Sequence, residues 1–123
     1  MDNSGGSRGQ ELCDRTRKFA LRIIGIYQLI NQTEVGRILG RQLLRSGTSV
    51  GANVEEAQAA QSPKDFISKM SISLKEARET RYWLLLLRDS KLFPPTKFDK
   101  ILDEIEQLIR IIYTIIRNTK NKQ

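Results

Sequence analysis

The stretch that decides the fold is residues 46–62, SGTSVGANVEEAQAAQS. Gly47 and Gly51 stand four apart among serines, a threonine and alanines, and Glu55 and Glu56 follow closely. Three readings compete: a glycine-rich loop around a phosphate, a flexible linker, or a helix kept thin. A P-loop requires Gly-x-x-x-x-Gly-Lys-Ser/Thr between a buried strand and a helix, so that backbone N–H groups and the lysine reach the phosphates. Here the spacing differs, the lysine is missing and no strand precedes the glycines. A dinucleotide fingerprint fails for the same reason. The linker fails on phase. Leu39, Leu43, Gly47, Val50, Val54 and Ala57 recur at three- and four-residue steps straight through the stretch, which is the period of one helix face. A linker would normally reset that phase. The stretch therefore predicts the middle of a helix whose small residues admit a neighbouring backbone, as small-xxx-small patterns do. Each glycine costs a helix roughly 1 kcal/mol relative to alanine. Gly36, Gly40, Gly47 and Gly51 thus require close packing to offset them, either within a bundle or between subunits.

Working outward, the same period recurs on both sides. Upstream, Leu12, Thr16, Phe19, Ile23, Ile26 and Ile30 form one stripe, predicting a helix over about 10–31. Residues 1–9 are polar and are expected to be disordered, without the apolar run of a signal peptide. The glycine-bearing helix is expected over about 34–61, with Thr33 as N-cap and Glu34 in its first turn. Downstream, Ser62, Pro63 and Asp65 announce a third helix with a capping box, over about 63–90. Pro94 and Pro95 prevent its continuation. Thr96 with Asp99 three residues on marks the fourth, over about 97–118, where Ile101, Leu102, Ile105, Leu108, Ile112 and Ile116 belong to the widest apolar stripe. Residues 118–123 read as a polar tail. Nothing reads as a strand. Short connections place neighbouring helices antiparallel, so the expectation is an all-α, up-down-up-down four-helix bundle.

A chain of 123 residues holds one such domain. Its net charge of +7 suits a polyanionic partner without requiring one. A single cysteine and no histidine remove a disulfide, a cysteine metal cluster and the commonest general base. No apolar run approaches the ~18–20 residues of a membrane span, so a cytoplasmic protein is expected, with no membrane partner, cofactor or metal.

Two sets of side chains are candidates for function. Arg15, Lys18 and Arg22 share a face of the first helix, and Arg37, Arg41 and Arg45 line the second at four-residue steps. These are the candidate phosphate contacts, with solvated faces or ion pairs as the plainer reading. No recognition-helix or RNA-module signature is present, so binding would be led by the backbone. The second set is Asn53 and Glu56 on the second helix and Glu76, Glu79, Thr80 and Arg81 on the third. Paired carboxylates suggest acid–base chemistry or a di-metal bundle, but the latter uses Glu-x-x-His pairs. The favoured reading is a structural polar network that fixes helix register. Tyr82, Trp83 and Leu84–Leu87 make the third helix apolar nearly all round, which predicts burial against another subunit.

The runs SVGANVEEA and SPKDFISKMSISLKEARETRYWL resemble the bacterial four-helix-bundle family that includes proteins encoded in 23S rRNA intervening sequences. The same fold group contains the accessory variability determinant of diversity-generating retroelements. The matching positions are Asn53, Val54 and Glu56, then Ser73, Glu76, Glu79 and Thr80, then Leu92 and Phe93, within a likeness spanning roughly residues 12–117. Many relatives carry Gly at the position of Ala57 and Pro at that of Gly51. The resemblance implies a homopentameric barrel of bundles. In the retroelement branch it also implies a basic surface that meets a reverse transcriptase and nucleic acid. The expected function is thus a non-enzymatic, oligomeric bundle that binds RNA or DNA through basic helix faces, as an accessory to a reverse transcriptase or an rRNA intervening-sequence element. The alternative is a protein-interaction scaffold that binds no nucleic acid.

Overall fold

The computed structural model describes the backbone of residues 4–123 and the side chains from Arg8 onward. Helix α1 is Ser4–Ile30, α2 is Glu34–Gln58, α3 is Pro63–Ser90 and α4 is Asp99–Asn121, with a 3-10 turn at Pro95–Phe98. Among the described residues there is no strand, and no helix is long and apolar enough to cross a membrane.

Local chemistry sets several of these boundaries. The Thr33 hydroxyl accepts the Gly36 N–H at 3.0 Å and starts α2. The Ser62 hydroxyl accepts the Asp65 N–H at 3.1 Å, and the Asp65 carboxylate accepts the Gln61 N–H at 3.2 Å. These two bonds tie Gln61 and Ser62 to the first turn of α3, so the chain leaves α2 at Gln58 instead of running to 61. The last carbonyls of α2 are taken by tightened bonds, Ala59 N–H to Glu56 and Ala60 N–H to Ala57, each 3.1 Å. Lys91 closes α3 in the left-handed conformation, with φ 59°.

Other boundaries differ from expectation. Helix α1 begins at Ser4 rather than near Gln10, because a helix once nucleated gains a bond with each residue added. Residues 4–9, expected to precede the first helix, thus lie within it, and residues 1–3 lie outside the described residues. Thr96 does not cap α4. It sits inside the 3-10 turn, which places Phe98 fully in the core just ahead of Asp99. At the other end α4 runs through the expected polar tail to Asn121, since no glycine or proline stops it.

The core is continuous across all four helices. Phe19, Ile23 and Ile30 of α1, Leu43 and Val50 of α2, Met70, Leu84 and Leu87 of α3, and Ile105, Leu108 and Ile112 of α4 are all buried. Helix α1 packs on α2, α2 on α3, and α3 on α4, while α1 and α4 share a thinner contact.

The glycines of α2 lie against α1. A Cβ on Gly47 would come within 2.8 Å of Ile23, one on Gly51 within 2.9 Å of the Thr16 hydroxyl, and one on Gly40 within 2.8 Å of the Tyr27 ring. The close approach that the sequence left open, within the bundle or between subunits, is therefore made inside one chain. The Gly51 contact also reaches backbone, 3.3 Å from the Thr16 carbonyl carbon, and backbone cannot turn aside as a side chain can.

Gly51→Val should lower stability by about 1–3 kcal/mol through overpacking against Thr16. Gly25 is also helical but exposed, with nothing within 4 Å of a new Cβ. Gly25→Ala should therefore raise stability by about 0.5–1 kcal/mol. Urea unfolding of the two variants checks both signs; a neutral or stabilised Gly51→Val would remove the close-approach explanation.

Candidate nucleic-acid interface

The six candidate basic residues divide into two groups. Arg15 points across to α4, where its guanidinium meets Glu104 at 2.9 and 3.3 Å and Gln107 at 3.1 Å. Such a forked pair fixes geometry as well as charge. Arg45 reaches α3, pairing with Glu76 at 3.2 Å and with Glu79. These two arginines tie helices together. Lys18, Arg22, Arg37 and Arg41 are exposed, and among the described residues none has a carboxylate partner. The one polar contact of Arg37 is a long 3.5 Å approach to the Asn31 carbonyl.

Helix geometry explains the division. Residues spaced by three, four or seven share a face, so Lys18 and Arg22 continue the flank of α1 that Arg15 turns toward α4. On α2 each four-residue step overshoots a full turn by about 40°. The Arg37–Arg41–Arg45 stripe therefore drifts around the helix, and by Arg45 it has reached α3. The two unpaired pairs of cations thus occupy different flanks of the chain.

The expected polar network forms only in part. Glu76 and Glu79 share Arg45, and the Trp83 indole N–H donates to Glu79 at 3.2 Å. The buried Thr80 hydroxyl is hydrogen-bonded to that of Ser46 at 2.9 Å and lies 2.7 Å from the Glu76 carbonyl. Beside it, the Ser73 hydroxyl donates to the Val50 carbonyl at 2.8 Å. Asn53 and Glu56 do not join. The Asn53 amide donates to the Ser49 carbonyl of its own helix at 2.9 Å. Glu56 is exposed, and its neighbour Glu55 is the one that pairs, with Arg17 at 2.6 Å. Arg81 turns instead to Glu106 on α4 at 3.3 Å. The cause is angular: neighbouring residues point about 100° apart, so Glu55 rather than Glu56 overlooks α1.

Ser46, Ser73 and Trp83 were absent from the expected network. Serines at small-residue positions carry no signal until the opposing hydroxyl or carbonyl is known. The Glu79–Trp83 spacing of four was the one available clue.

Arg45 holds the Glu79 carboxyl below its ordinary range, with a lesser contribution from the Trp83 hydrogen bond. Burial pushes the Cys13 thiol up, as suits a packing residue rather than a reactive thiolate. Among the described residues no group of His, Cys, Asp or Glu is placed to hold a metal ion.

The model of the family "23S rRNA-intervening sequence protein" matches residues 8–114. A crystal structure of a protein of unknown function from the S23 ribosomal protein family of Bacteroides thetaiotaomicron is also similar. It has a TM-score of 0.81 and 38% identity, covering 85% of this chain and 97% of that one. No curated protein matches the chain.

These contacts generate two predictions. The carboxyl of Glu79 has a folded pKa below its ordinary 4.5. Its contribution is therefore complete above the unfolded value and is lost as pH falls through the folded one. In urea midpoints measured from roughly pH 6 to pH 2, Glu79→Gln should flatten the acid limb; an unchanged limb would contradict the assignment. Thr80→Val, which removes the Thr80–Ser46 bond and leaves the buried Ser46 hydroxyl only a long 3.4 Å contact to the Leu43 carbonyl, should cost about 1–2 kcal/mol in the same assay at neutral pH.

Proposed function

Because the chain belongs to the 23S rRNA-intervening sequence protein family, we propose that it is a non-enzymatic, oligomeric helical bundle that binds the phosphate backbone of RNA or DNA. The carrying observation is that four of the six candidate basic residues, Lys18, Arg22, Arg37 and Arg41, are exposed and lack carboxylate partners among the described residues, as do the other exposed lysines and arginines outside the ion pairs. Arg15 and Arg45 direct their charge into ion pairs instead, although Arg45 stays about half exposed. Contacts of this kind favour any polyphosphate chain and read no base edges. An accessory role beside a reverse transcriptase or an rRNA element fits such a surface.

The proposed topology is an antiparallel, up-down-up-down bundle. It is supported by the run of contacts between helices, in which Thr16 meets Gly51, Ile23 meets Gly47 and Tyr27 meets Gly40. The proposed assembly is a homopentamer. It is supported by apolar side chains left exposed on one chain: Leu21 and Ile38 are 62% and 55% exposed, and Tyr82 is 54% exposed. Those same residues favour the second reading, a protein-interaction scaffold that binds no nucleic acid.

The test is fluorescence anisotropy with a labelled single-stranded RNA and a labelled DNA duplex across a salt series. The logarithm of the affinity should fall linearly with the logarithm of salt. Replacing Lys18, Arg22, Arg37 and Arg41 by alanine should lower that slope by roughly 0.7–0.9 for each phosphate contact removed. No binding at ~50 mM salt, where counterion release favours it, would leave the scaffold reading. Light scattering on the size-exclusion peak should report about five chains, and a monomer would overturn the assembly.

A further inference from the structure

The thin contact between α1 and α4 leaves a cavity at one end of the bundle. Beyond the Arg15–Glu104–Gln107 clamp, the two helices are bridged by no ion pair among the described residues. A cavity of about 480 Å³ opens there, floored by Leu12, Ile111 and Ile115 and rimmed by Arg8, Arg15 and Arg110. A second lobe of about 260 Å³ shares Arg8, Leu12 and Ile115 and extends the floor to Phe66 and Met70, with Lys122 at its edge. The first lobe alone is within the range of small-molecule sites.

Floor and rim differ in chemistry. The floor is hydrocarbon and sulfur, with Leu12 and Met70 buried and the others partly so. The rim carries Arg8, Arg110 and Lys122 against one acid, Glu11, while the charge of Arg15 is already met by Glu104. Arg8 and Arg110 are exposed, and neither forms an ion pair among the described residues. A wholly apolar ligand would leave the rim cations without a counter-charge. A small hydrophilic anion would leave the floor wet. The occupant that satisfies both is a chain of methylenes ending in an anionic head.

We propose that this end cavity binds an amphipathic anion, a medium-chain alkyl carboxylate or its sulfate or phosphate equivalent, with its head between Arg8 and Arg110 and its tail over Leu12 and Ile115. Neither arginine belongs to the four cations assigned to nucleic acid, so the two activities are separable.

The probe is dodecanoate, titrated calorimetrically into the full chain below its micelle concentration. Dodecanol supplies the tail without the charge, and acetate the charge without the tail. Saturable dodecanoate binding is expected, with both controls weaker by roughly tenfold or more. Arg8→Ala combined with Arg110→Ala should cost roughly tenfold in affinity. Thr114→Trp, at an exposed position on the rim, should block binding while circular dichroism and RNA affinity stay unchanged. No saturable binding to the wild type would overturn the proposal, as would dodecanol binding equally well or binding indifferent to both variants. Loss of oligomer mass in Thr114→Trp, with no dodecanoate bound by either protein, would assign the cavity to a second chain and equally overturn it.

Discussion

The close seating of α2 on α1 is the contact on which the rest of the bundle depends. Ile23 and Thr16 occupy the space where Gly47 and Gly51 would otherwise carry a Cβ. Larger residues there would force the two helices apart. With the seam closed, Arg17 and Glu55 come within 2.6 Å across it, and the Thr16 hydroxyl, kept buried, donates to carbonyls of its own helix. The opposite flank of α2 then presents Ser46 and the Val50 carbonyl to α3, where Thr80 and Ser73 receive them. These short polar contacts leave no room for the register to slip. No buried side-chain polar atom among the described residues lacks a partner, so the polar seam carries little of the desolvation cost that usually attends one.

Charge is arranged around that seam in two roles. Among the described residues, six of the 21 lysines and arginines form ion pairs. Arg15, Arg17, Arg45 and Arg81 each reach a neighbouring helix. Exposed pairs of this sort contribute little individually; their effect is to fix which helix faces which. The remaining cations stand on the outside, and the net charge of +7 is therefore a property of the surface. That surface charge raises the local concentration of any polyanion and is weakened by salt.

Much of the fold was readable because the helical period survives every interruption. The unbroken phase through Gly47 and Gly51 excluded a loop, and the Thr33 and Ser62 caps appear at their expected places. Helix ends were less readable where two signals competed. Thr96 looked like a cap, but burial of Phe98 favoured a 3-10 turn there. The candidate interface was readable only in outline. A periodic pattern assigns a side chain to a face of its own helix and is silent about what stands opposite. Arg45 and Arg41 are equivalent in the sequence, yet only Arg45 finds Glu76 and Glu79. Asn53 and Glu56 were grouped with α3 by their chemistry, and a turn of about 100° per residue directed Glu56 elsewhere.

The separation of the unpaired cations constrains how one chain meets a polyanion. Lys18 and Arg22 continue the flank of α1 that Arg15 directs toward α4. Arg37 and Arg41 lie on α2, before its stripe has rotated round to α3. A phosphate backbone running straight along α1 would meet the first of these pairs, and one running along α2 the second. Engaging both requires a strand that wraps the α1–α2 edge, or a second chain that brings its own pair alongside. The exposed Leu21 and Ile38 lie on these same two helices, so apolar association would also involve α1 and α2. Self-assembly through those apolar residues would therefore set the spacing between successive basic pairs. If the proposed assembly forms, it would set the length and path of any nucleic acid engaged, while the isolated chain sets only the sign of the charge it prefers.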